Sequence, residues 1–306
     1  MENSRMDFKK EIRKLLEEKD AILLAHNYQI DDIQEIADFT GDSLGLSIEA
    51  SKTKQSRIVF AGVYFMAETA YMLSPHKKVL LPEIDAGCPM ADMITAEELR
   101  NFKKEHPGVP VVCYVNSSAE VKAESDICCT SANAINVVKS IDSKKIIFVP
   151  DRNLGHYISR FVDKEIILWN GFCPIHERVT RKDIEMLKEK HKDAVVVLHP
   201  ECPPDTIDLA DHVCSTSGVY TFCKNSKAKK FIIGTENGVG YRLRKENPDK
   251  EFIFAYSPFQ CKNMKKTTLK KVYEALLYDR YEVTVSEEIR QKGVLSIEKM
   301  LKIPRG

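Results

Sequence analysis

Three cysteines stand far apart in the chain, each just past an apolar stretch and each in a turn built with glycine or proline: Gly87-Cys88-Pro89, Gly171-Phe172-Cys173-Pro174 and Pro258-Phe259-Gln260-Cys261. Turns of this kind expose a thiol and aim backbone N–H groups at its sulfur, which stabilises the thiolate. Three thiolates gathered at one point suit either zinc or an iron–sulfur cluster. A cubane held by four cysteines mainly moves electrons, whereas one held by three leaves an iron open to act as a Lewis acid on bound substrate. The chain has nine cysteines and no CxxC pair, so the ligands of any metal must converge from distant segments. Cys113 lies inside an apolar run and reads as core. Cys128, Cys129, Cys202, Cys214 and Cys223 are weaker candidates, and the adjacent Cys128 and Cys129 cannot readily ligate one metal together.

The elements that would position such residues follow a threefold pattern. AILLAHNY (21–28), VVCYVNSS (111–118) and VVVLHPEC (195–202) are apolar, rich in β-branched residues, and read as buried parallel strands. The second lies 88 residues after the first, and the third 85 after the second. Asp38, Asp126 and Asp211 obey the same shifts. So do Ser43, Ser131 and Thr216, which close the short polar segments DFTGDS, DICCTS and DHVCST. The next strands also align, IVFAGVYF with KIIFVPDRN and KFIIGTENG, making Gly62, Pro150 and Thr235 equivalent. A fourth strand in each unit ends at one of the three cysteines, where the register slips by three residues, as a loop insertion would cause. Strands alternating with helical segments such as 119–124 and 181–191 predict parallel α/β units.

The expected fold is therefore α/β: three homologous three-layer α/β domains with parallel sheets, arranged with pseudo-threefold symmetry around a central active site. The expected divisions are an N-terminal helix over 1–20 packing with the third domain, a first repeat at 21–107, a second at 108–192, and a third at 193–306 that includes C-terminal helices. Phe8, Ile12, Leu15 and Leu16 share one face of that first helix.

Ligands of parallel α/β units bind beyond the carboxyl ends of the strands. The residues there are His26 and Tyr28, Tyr114 and Asn116, and His199 and Glu201, again equivalent under the repeat. A pseudo-threefold arrangement aims all six at one axis, with the hydroxyls of Ser43, Ser131 and Thr216 beside them, suited to carboxylate or phosphate. A lone histidine or tyrosine at a strand end is commonly structural. Equivalence across three units favours a shared site, and the variation among units fits an asymmetric ligand.

Charge and hydropathy narrow the classes. A formal net charge of +1, with Lys and Arg spread along the chain, offers no global field for nucleic acid or a membrane. The N-terminal stretch lacks the apolar run of a signal peptide, and no segment approaches the roughly 18 apolar residues needed to cross a bilayer. The expected location is the cytoplasm, where thiols stay reduced.

Taken together, AHNYQ, GDSLGLS, GCPMADM, CYVNSSAEVKAESD, PDRNLG, WNGFCPIHE, HPEC, STSG and GTENG resemble the motifs of the quinolinate synthase family, in order, from about residue 20 to about residue 270. The resemblance implies three pseudo-equivalent α/β domains and one [4Fe–4S] cluster per chain with one iron not bound by cysteine, its ligands Cys88, Cys173 and Cys261. It implies condensation of iminoaspartate with dihydroxyacetone phosphate to quinolinate, phosphate and water in NAD biosynthesis. It implies substrate contacts from His26, Ser43, Tyr114, Asn116, Ser131, His199, Glu201 and Thr216. Tyr28 and Glu201 are the expected proton-transfer groups, with His199 and His26 holding anions or assisting as acids. Iminoaspartate would come from an aspartate oxidase or dehydrogenase. Some family members carry a second cysteine three residues after the last ligand; Met264 stands there in this chain, so no local disulfide forms.

Two other readings compete on residues alone. An iron–sulfur hydro-lyase of the aconitase type also uses three cysteines and an open iron, but the triplicated small units and the HNY and HPEC motifs speak against it. A zinc-stabilised binding protein would use the same thiols structurally and would be colourless.

Overall fold

The β-branched runs become the inner strands of three sheets. The computed structural model describes residues 2–256 and 258–305, and its sheets each have four parallel strands. Strands β1 (Ala21–His26), β2 (Phe39–Gly41), β3 (Arg57–Ala61) and β4 (Lys78–Leu80) form the first. Strands β5 (Val111–Tyr114), β6 (Ile127–Cys129), β7 (Lys145–Val149) and β8 (Glu165–Leu168) form the second. Strands β9 (Val195–Leu198), β10 (His212–Val213), β11 (Lys230–Gly234) and β12 (Glu251–Phe254) form the third. All three share one order, β2-β1-β3-β4, β6-β5-β7-β8 and β10-β9-β11-β12, with helices on the flanks.

The polar segments that close each unit's first half contain the edge strands β2, β6 and β10. Two or three paired residues are too few to show a periodic pattern. Their register repeats all the same: Leu24 stands opposite Phe39, Val112 opposite Ile127 and Val197 opposite His212. The aspartates that begin these segments hold that register. Asp38, Asp126 and Asp211 each accept, through Oδ2, the N–H of Leu23, Val111 or Val196 at 2.7–2.8 Å. Each also donates its own N–H to the carbonyl of the same strand residue. The repeated aspartate is thus a clasp between edge and inner strand.

A further threefold feature follows the cysteines. Thr95, Thr180 and Thr268, each seven residues past its cysteine, cap the N-termini of helices Ala96–Glu105, Arg181–Lys190 and Leu269–Tyr278. Glu98 and Asp183 complete capping boxes at the first two.

The helix Glu2–Glu18 packs beside Leu269–Tyr278 on the first sheet, where Ile12, Leu15 and Leu16 join Leu23, Val59, Val272 and Leu276 in one core cluster. Its neighbours are therefore the first sheet and a helix drawn from the 193–306 segment. Another helix of that segment, Glu287–Leu301, crosses to Ala119–Ala123 and Tyr64–Leu73 and so joins the first and second units. Gly293 permits this approach: a Cβ there would stand 2.9 Å from Met72 Sδ and 3.4 Å from the Ala119 carbonyl oxygen. Among the described residues no helix is long and apolar enough to cross a membrane.

At the same junction Glu68 is buried and accepts the Ala119 N–H at 3.1 Å. Burial pushes its carboxyl up to about 7, with Lys122 offsetting only part of the effect. Because the folded value lies above the unfolded one, its contribution is favourable while Glu68 is protonated and is lost as pH rises toward and through about 7. Glu68→Gln should therefore raise thermal stability at pH 8, on the order of 3 kcal/mol, and change it little at pH 5. Melting curves at the two pH values check this; an equal shift at both would refute the ionisation account.

Candidate active site

One cavity beyond the carboxyl ends of β1, β5 and β9 is fronted by His26, Tyr28, Ser43, Tyr114, Asn116, Ser131, His199, Glu201 and Thr216, and by Cys88, Cys173 and Cys261. Every residue singled out from the strand ends and turns is thus brought to a common wall. The chain reaches it by the same turn in two units. The Tyr28 N–H donates to His26 Nδ1 at 3.2 Å, and the Glu201 N–H to His199 Nδ1 at 3.4 Å. With Nδ1 accepting, the proton of each neutral imidazole sits on Nε2. Burial depresses His26 to about 4 and His199 to about 3, so both rings are neutral donors near pH 7. His199 Nε2 donates to Ser131 Oγ at 3.2 Å.

The hydroxyl residues sit where helices begin. Ser43 opens helix Ser43–Lys52, Thr216 opens Thr216–Asn225, and Ser131 precedes Ala134–Ser140. Asn27 Nδ2 donates to Thr216 Oγ1 at 3.0 Å, tying the first unit to the third. Asn116 presents a buried Oδ1 with no hydrogen-bond partner among the described residues.

His176, Thr235 and Glu236 organise the centre, and sequence reasoning assigned none of them a site role. His176 Nδ1 lies 2.7 Å from Glu201 Oε2 and 3.2 Å from Cys173 Sγ. Its Nε2 is 3.0 Å from Thr235 Oγ1, which is 2.7 Å from Tyr28 Oη. The Tyr114 hydroxyl donates to Glu201 Oε1 at 2.5 Å. A hydrogen-bonded line therefore runs from Tyr28 through Thr235 and His176 to Glu201 and Tyr114, drawing on all three units. The His176 ring also stacks on His199 with centroids 4.7 Å apart. The repeat could not flag His176, because Ala91 and Met264 hold the equivalent places past the other cysteines.

Burial resists a charge on Glu201, but the adjoining His176 and the bonds from His176 and Tyr114 outweigh it and hold the carboxyl below the usual range. Burial, reinforced by that carboxylate, pushes the Tyr28 and Tyr114 hydroxyls well above their ordinary values, so both stay protonated.

The three thiols share one cradle. Backbone N–H groups two and three residues on point at each sulfur: Met90 and Ala91 at Cys88, Ile175 and His176 at Cys173, Asn263 and Met264 at Cys261. Each cradle leads into a short 3₁₀ turn, Ala91–Met93, His176–Arg178 or Met264–Lys266. Burial pushes the Cys88 thiol up to about 12 and raises the other two. N–H groups so placed suit a sulfur that becomes anionic when metal replaces its proton. Cys173, His176 and Glu201 also bring ligand atoms within 4.8 Å of one another, a second donor group at the same wall. Cys113, Cys128, Cys129, Cys202 and Cys223 are buried off the cavity, and Cys214 lines a neighbouring groove.

Glu236 fastens the last cradle. Fully buried, it accepts the N–H of Cys261 at 3.1 Å and of Gly238 at 2.6 Å, and pairs with Lys265 at 3.0 Å. Burial pushes its carboxyl up, and Lys265 draws it back.

The family model of the quinolinate synthetase A protein matches residues 10–302. Relatives named quinolinate synthase include one from Geobacter sp. (strain M21), 59% identical over 297 residues that cover 97% of this chain and 98% of the relative. Another, from Geotalea uraniireducens, is 58% identical over 299 residues, 98% of each chain. A third, from Caldicellulosiruptor bescii, is 53% identical over 296 residues, 96% of this chain and 98% of the relative.

Removing one partner of a buried ion pair strands the other, so Glu236→Ala should cost about 3 kcal/mol in urea unfolding. Glu236→Gln keeps an acceptor for the Cys261 N–H and should lose less. Equal losses would show that the bond to Cys261 contributes nothing.

Proposed function

The chain belongs to the quinolinate synthetase A protein family and its activity is quinolinate synthesis in NAD biosynthesis; on that footing we propose that the cavity condenses iminoaspartate with dihydroxyacetone phosphate, releasing phosphate and water. The observation that carries this reading is the meeting of the strand-end residues, the three hydroxyls and the three thiols at one wall. The three repeats at 21–107, 108–192 and 193–306 each supply part of it. Iminoaspartate would arrive from an aspartate oxidase or dehydrogenase in the cytoplasm.

In this reading Cys88, Cys173 and Cys261 hold a [4Fe–4S] cluster, and the buried N–H cradles at all three sulfurs fit that donor set. When bound, the cluster supplies a Lewis acid at the iron that no cysteine holds. The protein's own groups do the rest. Ser43, Ser131 and Thr216, with the Nε2–H groups of His26 and His199, bind the carboxylates and the phosphate as neutral donors. Asn116 Oδ1, without a partner among the described residues, accepts an N–H or O–H of the substrate.

Ring formation needs protons removed from carbon and delivered to departing hydroxyls. Glu201, kept ionised, is the base; Tyr28, kept protonated, is the acid. The line through Thr235 and His176 joins them, so a proton gathered at Glu201 can be returned through Tyr28. Tyr114 orients Glu201 through its 2.5 Å bond.

Anaerobically purified protein should be brown and should form quinolinate from the two substrates. Cys88→Ser, Cys173→Ser and Cys261→Ser should each lose the colour and the bound iron, while Cys223→Ser keeps them. Glu201→Gln and Tyr28→Phe should keep the iron and lower kcat by about 10²–10⁴-fold. Intact brown protein that forms no quinolinate, or a Cys223→Ser variant that loses its iron, would overturn the reading.

A further inference from the structure

The segment that follows helix Glu287–Leu301 runs across the outside of the substrate wall and ends its described course at Arg305. Its guanidinium grips Asp42 with two parallel bonds, Nη1 to Oδ2 at 2.6 Å and Nη2 to Oδ1 at 2.8 Å. Asp42 immediately precedes Ser43 and caps its helix by accepting the Gly45 N–H at 2.9 Å. A Cβ on Gly45 would stand 3.4 Å from Arg305 Nη2, so the glycine leaves room for the guanidinium to lie over the start of that helix. Ser215, the residue before Thr216, donates to Asp42 Oδ2 at 3.5 Å.

The same segment is bound to the second unit. Asn133 Nδ2 donates to the carbonyls of Met300 and Ile303, each at 3.2 Å, and Asn136 Nδ2 to those of Pro304 and Arg305, each at 3.3 Å. Asn133 also accepts, through Oδ1, the N–H of Thr130 at 2.9 Å, beside Ser131. The strap therefore bonds directly to Asp42, beside Ser43, and to Asn133, two residues past Ser131, and it reaches Ser215, beside Thr216, only through Asp42.

The charges give this strap a purpose beyond packing. The Asp42 side chain is 7% exposed and fronts the cavity, whereas that of Arg305 is 43% exposed. Asp42 is the buried member of the pair, so losing Arg305 would leave its carboxylate without a cation. A bare carboxylate at the wall of a cavity that receives acids repels them at short range. The titratable groups that face Asp42 from the cavity, His26 and His199, are neutral near pH 7 and cannot cancel its charge.

We propose that Arg305 is a positioning residue for quinolinate synthesis, neutralising Asp42 and, through the strap it ends, setting the spacing of Ser43, Ser131 and Thr216 for acidic ligands. The assignment rests on the function proposed above. Arg305 lies outside the residues that line the cavity and acts through Asp42 and the helix that Asp42 caps.

Quinolinate itself is the probe, titrated calorimetrically into anaerobic, iron-loaded protein. Arg305→Gln should weaken its binding by roughly tenfold or more and raise KM for dihydroxyacetone phosphate similarly, with kcat changed less. The double variant Asp42→Asn/Arg305→Gln, which carries neither charge, should recover to within about threefold of the unsubstituted protein. A purely structural role would instead lower the unfolding midpoint of Arg305→Gln and leave the affinity of the folded, iron-loaded protein unchanged. Unaltered affinity in Arg305→Gln, or a double variant no better than the single, overturns the proposal. If Arg305→Gln folds poorly, Arg305→Lys decides: it keeps the charge but not the paired geometry, and affinity roughly tenfold or more below that of the unsubstituted protein would overturn neutralisation. Unsubstituted protein that neither makes nor binds quinolinate would overturn the functional reading and this inference with it.

Discussion

A carboxylate removed from water has to be surrounded by donors, and in this chain the donors for Glu201 come from elsewhere in the fold. Tyr114 ends the inner strand of the second sheet, and His176 sits in the turn that follows the same sheet, while Glu201 follows the inner strand of the third. Thr235 then carries the contact back to Tyr28 in the first unit. Separating the units would strand a buried charge, at a cost of several kcal/mol. The requirement to satisfy one anion therefore fixes how the three units approach, and with them the walls of the cavity.

Repetition and divergence divide the labour. What repeats is the frame: the sheet order, the aspartate clasp, the threonine cap seven residues past each cysteine, and the pair of N–H groups aimed at each sulfur. What diverges is the chemistry at the strand ends, where histidine, tyrosine, asparagine and glutamate take equivalent places. A triplicated scaffold delivers its strand ends to one region. Different side chains at those ends suit a ligand that lacks threefold symmetry.

The helices outside the repeats serve the same end by joining units. Glu2–Glu18 rests on the first sheet together with a helix from the third segment, and Glu287–Leu301 bridges the first and second. Gly293 lets that bridge come close enough for Ser296 to donate to the Lys122 carbonyl at 3.0 Å. Beyond it, the strap carrying Arg305 brings a cation to the buried carboxylate of Asp42.

Much of this was legible in the residues alone. β-Branched runs spaced by two near-equal intervals specify parallel α/β units, since a buried strand must be apolar and a repeated strand must recur at a fixed distance. The cysteines, strand-end residues and hydroxyls could be named because residue type and position in the repeat single them out, and the fold brings them to one cavity. His176 and Glu236 could not, because their importance comes from contacts and not from a pattern: one has apolar counterparts at the equivalent places, and the other is a carboxylate until Cys261 and Lys265 are seen beside it. The pairing of Arg305 with Asp42 spans nearly the whole chain. No local rule links residues so far apart, so only the packing of helix Glu287–Leu301 across two units decided that they would meet.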